Sequence, residues 1–431
     1  MVSQKYDCDS QNAIISDRLL GVADSDKQYP MKRFNNFVIR LLFIPFTMFA
    51  LLGCSTLPRT PYSAADATSS RVLNIGELRR YSDEPASTLK EEATRRTHIG
   101  SFSYLAISGG GADGAYGAGI LNGWTAAGTR PEFSTVSGVS TGALIAPFAF
   151  LGSAYDPVLK DLYTSGIAAT LLDSPNALSA LFGSGLYGNS RLHDLIARYF
   201  DQDTLAAIAA QHARGRVLVV VTTNLDTQRT VIWDMGRIAS LGSPEALSLF
   251  RNVLAASVSV PVVFPPMLIQ AEANGNSFQE MHVDGGVTAP VLTLPEAFLL
   301  HNATLNRSTH TDMYVLMNSK LERDFQLVPN TTVGIAARAS ASATKTQTRS
   351  VLQETYDFAR RNNLGFNLTF VDKEISSSSS LGFNTDYMRA LYQYGYDKAR
   401  SGDFWAKAPP LDDRSPIKGR TTRTSAVRAV H

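Results

Sequence analysis

The run Leu105-Ala106-Ile107-Ser108-Gly109-Gly110-Gly111-Ala112-Asp113-Gly114-Ala115-Tyr116-Gly117-Ala118-Gly119 constrains this chain more than any other stretch. A short apolar segment ends in three glycines. Small residues then recur at a spacing that suits a closely packed helix. This reads as a strand, a tight turn and a helix N-terminus. Glycine lets the backbone turn sharply and lets a ligand approach the amides. The unpaired N–H groups at a helix start favour negative charge, so the turn suits a phosphate or a developing oxyanion. Taken alone, the same turn also suits a dinucleotide.

A second motif narrows the choice. Thr135-Val136-Ser137-Gly138-Val139-Ser140-Thr141-Gly142-Ala143-Leu144 contains Gly-x-Ser-x-Gly, the pattern of a serine on a strained strand-to-helix turn. An apolar helix is expected over Thr141–Leu151. A third element, Val283-Asp284-Gly285-Gly286-Val287, puts an acid at the end of another apolar stretch.

Together the three elements resemble the patatin-like phospholipase family, in the order glycine-rich loop, Gly-x-Ser-x-Gly nucleophile and Asp-Gly-Gly base. Thr222-Thr223-Asn224-Leu225-Asp226 and Ala256-Ser257 with Pro261, Phe264, Pro265 and Pro266 are also similar to it. The resemblance spans roughly Tyr104 to Ser319. It implies an α/β fold, with a mainly parallel central sheet, helices on both faces and three α/β/α layers. It also implies a serine lipid acyl hydrolase acting on fatty-acyl esters, in the manner of a phospholipase A or lysophospholipase. Ser140 and Asp284 would be the catalytic dyad. The oxyanion hole would come from Gly109, Gly110, Gly111 and Thr141. No cofactor is implied. At one position the chain departs from the family: Asp113 stands where a basic residue is usual. A carboxylate there is expected to favour neutral or zwitterionic esters.

Strands are expected at Tyr104–Ser108, Ser134–Gly138, Arg216–Thr223, Glu280–Asp284 and Met313–Asn318. Several of these are continuous apolar runs, as strands buried on both faces should be. Helices are expected at Ala115–Ala127, Thr141–Leu151, Arg191–Phe200 and Pro244–Ala256, and the alternation implies a parallel sheet. In such sheets ligands sit beyond the carboxyl ends of the strands, where the glycine loop, Ser140 and Asp284 all fall. His282, two residues before Asp284, allows a Ser-His-Asp alternative; His301 and His310 lie in no recognisable motif. An acyltransferase or thioesterase could use the same dyad. A non-catalytic lipid-binding lipoprotein is the remaining alternative.

Composition sets the wider limits. The chain has 431 residues, 44% hydrophobic and 18% charged, enough for a large core. A net charge of +2 gives no electrostatic case for nucleic acid, and the scattered histidines suggest no metal site. Met31-Lys32-Arg33 opens a basic segment followed by Leu41 to Leu52 and then Gly53-Cys54-Ser55. This resembles a lipoprotein signal peptide (residues 31–53), with Cys54 lipidated as the mature N-terminus. The apolar run is shorter than the ~20 residues a spanning helix needs. The expected location is the bacterial cell envelope, anchored to the outer membrane and facing the periplasm. Residues 1–30 carry Asp7, Asp9, Asp17, Asp24 and Asp26, which is odd before a signal peptide; translation is expected to begin at Met31.

The remaining organisation is read as a solvated tether over 54–100, a catalytic core over 101–320, an α/β extension over 321–406 packed on the core, and a disordered basic tail over 407–431. Within the core, Leu162–Tyr187 could be a lid or merely a packed connection. In the extension, a helix is expected at Thr344–Asn362, a strand at Phe366–Val371 and a helix at Asp386–Arg400. The tyrosines of that last helix, Tyr387, Tyr392, Tyr394 and Tyr396, are expected to serve packing.

Overall fold

The computed structural model describes residues 59–85, 87–88, 102–172, 190–300, 311–375 and 384–410. Cys54, the leader, His301, His310, residues 173–189 of the lid segment and most of the tail lie outside them. Among the described residues there are nine strands: β1 Arg79–Tyr81, β2 Phe102–Ile107, β3 Thr135–Val139, β4 Val217–Asn224, β5 Arg229–Asp234, β6 Met267–Ala273, β7 Asn276–Asp284, β8 Thr311–Met317 and β9 Gly365–Phe370. The helices are α1 Ala64–Ser69, α2 Gly114–Ala126, α3 Thr141–Leu151, α4 Asp156–Thr164, α5 Ser190–Tyr199, α6 Gln202–Ala213, α7 Met235–Ser240, α8 Pro244–Val258, α9 Glu296–Leu300, α10 Thr332–Arg361 and α11 Thr385–Arg400.

All nine strands form one sheet, with the order β1-β5-β4-β3-β2-β8-β9. Its core, β4-β3-β2-β8-β9, is parallel throughout. Alternate residues of β2 enter different apolar clusters. Leu105 and Ile107 join the larger one, built on α2, α3 and α8. Tyr104 and Ala106 join a second one with Met313, Val315, Leu352 and Leu368. Helices therefore cover both faces, giving the three-layer α/β/α arrangement. This double burial is why the parallel strands read as unbroken apolar runs.

One edge carries an antiparallel annex. β5 pairs with β4, β1 with β5, and the β6–β7 hairpin joins through β7. β3 pairs with β4 up to Val139 opposite Val221. β7 takes over the same edge at the next position, with Asp284 opposite Thr222. The two strands run in opposite directions along that edge, so their carboxyl ends meet head to head. That topology, rather than any local preference, brings residues 140 and 284 together.

The expectation of a solvated tether over 54–100 does not hold for residues 59–85. Leu78 is fully buried and β1 closes the sheet. Arg79 is buried and pairs both its terminal nitrogens with Glu280 of β7. A buried guanidinium is tolerated only with such a partner, so this segment is part of the domain. The extension, for its part, supplies β9 to the main sheet rather than resting against it. α10 starts twelve residues before the expected helix, where Thr331 accepts a hydrogen bond from the Gly334 amide as N-cap. Its first turns are exposed and rich in Ala, Ser and Thr, so no apolar stripe announces them. In the described part of the lid segment, Leu162, Tyr163, Ala168 and Leu171 are buried, as in a packed connection.

Candidate active site

Ser140 is the residue between β3 and α3, with φ 55° and ψ −128°. Only a tightly constrained turn holds a non-glycine residue there. The constraint is visible around it. Its amide donates to Ser257 Oγ at 3.0 Å, and Ser257 in turn donates to the Val221 carbonyl at 2.7 Å. A Cβ at Gly138 would sit 2.3 Å from the Gly142 carbonyl oxygen, and one at Gly142 would sit 2.5 Å from that of Ile107. The flanking glycines of the motif are therefore needed for closeness of backbone to backbone.

Ser140 Oγ donates to Asp284 Oδ2 at 2.6 Å. The other carboxylate oxygen, Oδ1, accepts from the Gly286 amide at 2.6 Å. The backbone of Asp284 is pinned on both sides: its N–H donates to the Ser259 carbonyl, and its carbonyl accepts from Thr223 Oγ1. Ser259, just before the Pro261–Pro266 stretch, thus contacts the site directly. Burial pushes the Asp284 carboxyl up to about 6, and the two hydrogen bonds oppose that rise without cancelling it.

His282 does not join this pair. Its ring is fully buried, with Nδ1 2.9 Å from Thr222 Oγ1 and Nε2 3.1 Å from Glu280 Oε2. The Glu280 carboxylate can only accept, so a neutral ring donates to it from Nε2 and accepts at Nδ1 from the Thr222 hydroxyl, whose oxygen also accepts from Trp233 Nε1 at 2.8 Å. Burial holds the ring below its ordinary value, consistent with a neutral imidazole. Both ring nitrogens are occupied away from Ser140, and the Ser-His-Asp alternative has no geometric support through His282.

The oxyanion donors divide. Gly109 was expected among them, but its N–H donates to the Pro290 carbonyl at 3.2 Å, so it is engaged in holding the loop. The amides of Gly110, Gly111 and Thr141 meet no acceptor among the described residues. Gly110 is pressed against Asn318: a Cβ there would lie 2.1 Å from the Asn318 carbonyl oxygen. Asn318 also donates from its amide to Ser108 Oγ and from its side chain to the Ser108 carbonyl. Thr141 is fixed by Tyr163 of α4, whose hydroxyl lies 2.6 Å from Thr141 Oγ1 and donates to the Thr141 carbonyl at 3.2 Å. Sequence reasoning did not find Asn318 or Tyr163. The one available signal was a polar residue closing the apolar β8 run. Among the described residues no cluster of histidine, cysteine or acidic side chains could hold a metal ion.

Part of the chain is similar to known proteins. Residues 105–295 match the family model described as patatin-like phospholipase. That stretch is similar to the family and makes up less than half of the chain. An uncharacterized protein of Acanthamoeba polyphaga mimivirus is 28% identical over 186 residues, which is 43% of this chain and 58% of that one. The chain thus spans little more than half the length of that relative. Among solved structures, VipD from Legionella pneumophila is similar over 71% of this chain and 67% of its own, with a TM-score of 0.37 and 14% identity. The type III effector protein ExoU is similar over 69% of this chain and 53% of its own, with a TM-score of 0.21 and 13% identity. The patatin-like span covers the glycine loop, Ser140 and Asp284, and stops before β8, β9, α10 and α11.

Proposed function

We propose that this protein is a serine lipid acyl hydrolase that cleaves fatty-acyl esters, in the manner of a phospholipase A or lysophospholipase, through a Ser140–Asp284 dyad. The observation that carries the proposal is the 2.6 Å contact between Ser140 Oγ and Asp284 Oδ2 on a strained turn. A serine hydroxyl is a poor nucleophile without a base within such reach. Asp284 takes the Ser140 proton as Oγ attacks the ester carbonyl. The amides of Gly110, Gly111 and Thr141 receive the oxyanion, each such donor supplying ~3 kcal/mol of transition-state stabilisation. The protonated Asp284 then gives its proton to the leaving alcohol, and an acyl-serine remains. Water attacks the acyl group while Asp284 takes its proton, and the fatty acid departs as Ser140 is reprotonated. An aspartate of ordinary acidity is a weak base near neutrality, whereas one pushed up to about 6 is better matched to the task.

The test is labelling with a fluorophosphonate, followed by lipid-product profiling beside Ser140→Ala. The expected result is a labelled Ser140 peptide and fatty-acid release by wild type alone. A wild-type protein that neither labels nor releases fatty acid is not this enzyme.

We also propose that the chain is held at the outer membrane by a lipid on Cys54, on the strength of Leu51-Leu52-Gly53-Cys54 behind a basic start. Among the described residues no helix is long and apolar enough to cross a membrane. Cys54→Ala should leave an unprocessed precursor; membrane attachment of a processed Cys54→Ala protein would refute the anchor.

A further inference from the structure

α11 lies beyond the patatin-like span, yet it reaches the glycine loop. Asn384 caps this helix, its side-chain oxygen accepting from the amides of Asp386 and Tyr387 at 3.0 Å each. The first turn is thereby fixed, with Tyr387 in it. The Tyr387 hydroxyl donates to Asp113 Oδ1 at 2.6 Å. Asp113 closes the short 3₁₀ turn Gly111–Asp113 at the head of α2, and its amide donates back to the Gly110 carbonyl at 3.1 Å. The Gly114 amide donates to the Gly111 carbonyl in the same turn. Gly110 and Gly111, whose amides meet no acceptor among the described residues, therefore belong to one hydrogen-bonded unit that Asp113 ends.

The rest of α11 leaves little freedom for this contact to shift. A Cβ at Gly119 would lie 2.1 Å from the Tyr392 carbonyl oxygen, one at Gly123 2.2 Å from that of Tyr396, and one at Gly395 2.5 Å from that of Tyr116. The α2 and α11 backbones are in direct contact, as small residues permit. Asn122 Nδ2 donates to Tyr392 Oη at 2.9 Å, and Arg389 Nε donates to the Thr164 carbonyl, tying α11 to α4 as well. Tyr387 thus projects from a helix already seated against the one that the glycine loop begins.

We propose that Tyr387 is a positioning residue of the active site, holding the oxyanion loop in its productive geometry by its hydrogen bond to Asp113. The proposal rests on the hydrolase reading above. It assigns a role in the reaction to the extension, and it accounts for an acid in place of the usual basic residue: the loop is braced from α11 by a hydroxyl that needs an acceptor. Donors must sit about 2.7–3.1 Å from the developing oxyanion to act, so a loosened loop lowers turnover more than it lowers substrate binding.

The experiment compares Tyr387→Phe, Asp113→Ala, Asp113→Asn and the Tyr387→Phe/Asp113→Ala double variant in the full chain. It uses initial rates on a p-nitrophenyl ester and hydrogen exchange of the peptide covering Gly109–Asp113. Tyr387→Phe is expected to lower kcat about tenfold with KM within about twofold, and the double variant to be no worse than the poorer single one. Asp113→Asn keeps an acceptor for the hydroxyl and is expected to retain most of kcat. The Gly109–Asp113 peptide is expected to exchange faster in Tyr387→Phe, while peptides of β3 and β4 do not change. Wild-type kcat in Tyr387→Phe, additive losses in the double variant, or unchanged exchange at the glycine loop would each overturn the brace. A wild-type protein without ester turnover would instead overturn the hydrolase reading, and the exchange data would still decide whether Tyr387 holds the loop.

Discussion

Glu280 and Asp284 sit four residues apart on β7, on the same side of the strand, and both are buried, at 0% and 4% exposure. Burial pushes both carboxyls toward the neutral form. Their surroundings then separate them. Around Glu280, the Arg79 guanidinium, the His282 ring and Asn224 Nδ2 converge, and they hold its carboxyl well below the usual carboxylate range. Among the described residues no cation pairs with Asp284, which holds one hydroxyl and one backbone amide, and its carboxyl rises to about 6. One strand therefore carries a permanently charged structural acid and a second carboxyl that, on the proposed reading, is a base poised near neutrality. The partner brought by other segments, not depth of burial, assigns the roles.

The largest effect that tests this contrast is on turnover. Ser140→Ala and Asp284→Asn are each expected to lower kcat about 10⁴-fold or more, with the fold intact by circular dichroism. Glu280→Gln should instead lose stability before activity. Next comes Arg79→Met, which leaves Glu280 buried without its cation. A loss of about 3–5 kcal/mol in denaturant unfolding is expected, and pairing it with Glu280→Gln should recover part of that loss. Recovery of nothing would mean the ion pair is not what fixes Glu280.

Asp284 should behave in the opposite sense. Its carboxyl binds a proton more tightly folded than unfolded, so its contribution to stability is full below pH ~4 and is lost as pH rises through about 6. At pH 7.5 Asp284→Asn is expected to stabilise the fold by up to about 3 kcal/mol, and at pH 4 the gain should vanish. The same ionisation should make kcat/KM fall about tenfold per pH unit below about 6 in wild type. A profile flat down to pH 4.5 would remove Asp284 as the base. The smallest effect belongs to His282→Asn, expected to cost about 1–3 kcal/mol of stability through lost partners for Glu280 and Thr222. The folded protein should keep kcat within a few-fold; a dead but folded variant would return a histidine to the mechanism.

What could be read from the sequence follows the same division. β2, β3, β4, β8 and β9 were legible because burial on both faces writes an apolar run, and α3 was foreseen at both its ends. The annex was not. β1 is Arg-Arg-Tyr, and β6 alternates buried Met267, Ile269, Ala271 and Ala273 with exposed Leu268, Gln270 and Glu272, too weakly apolar on its inner side to stand out. At the site, Ser140 and Asp284 were legible because their motifs are local in sequence. Gly109 was misassigned because its amide is claimed by the Pro290 carbonyl, far along the chain. Arg79, Asn318 and Tyr387 act through partners that only the topology supplies. The tyrosines of α11 were expected to serve packing, and all four do pack on the main core, but Tyr387 also carries the hydrogen bond to Asp113, which its sequence position did not announce.

The glycine-lined crossing of α2 and α11 also imposes an order of events. Its contacts join positions 270 or more apart, such as Asn122 with Tyr392 and Asp113 with Tyr387. Contacts across so long a span form late, after local ones have closed. During synthesis the glycine loop, the elbow and the strands that carry them leave the ribosome first, and residue 400 follows after nearly three hundred more residues. On the proposed reading, a nascent chain holds its nucleophile long before its oxyanion loop is clamped. Ester hydrolysis at full rate then begins only after residues 385–400 have been made and docked, and the cell making the protein is spared a half-built lipase.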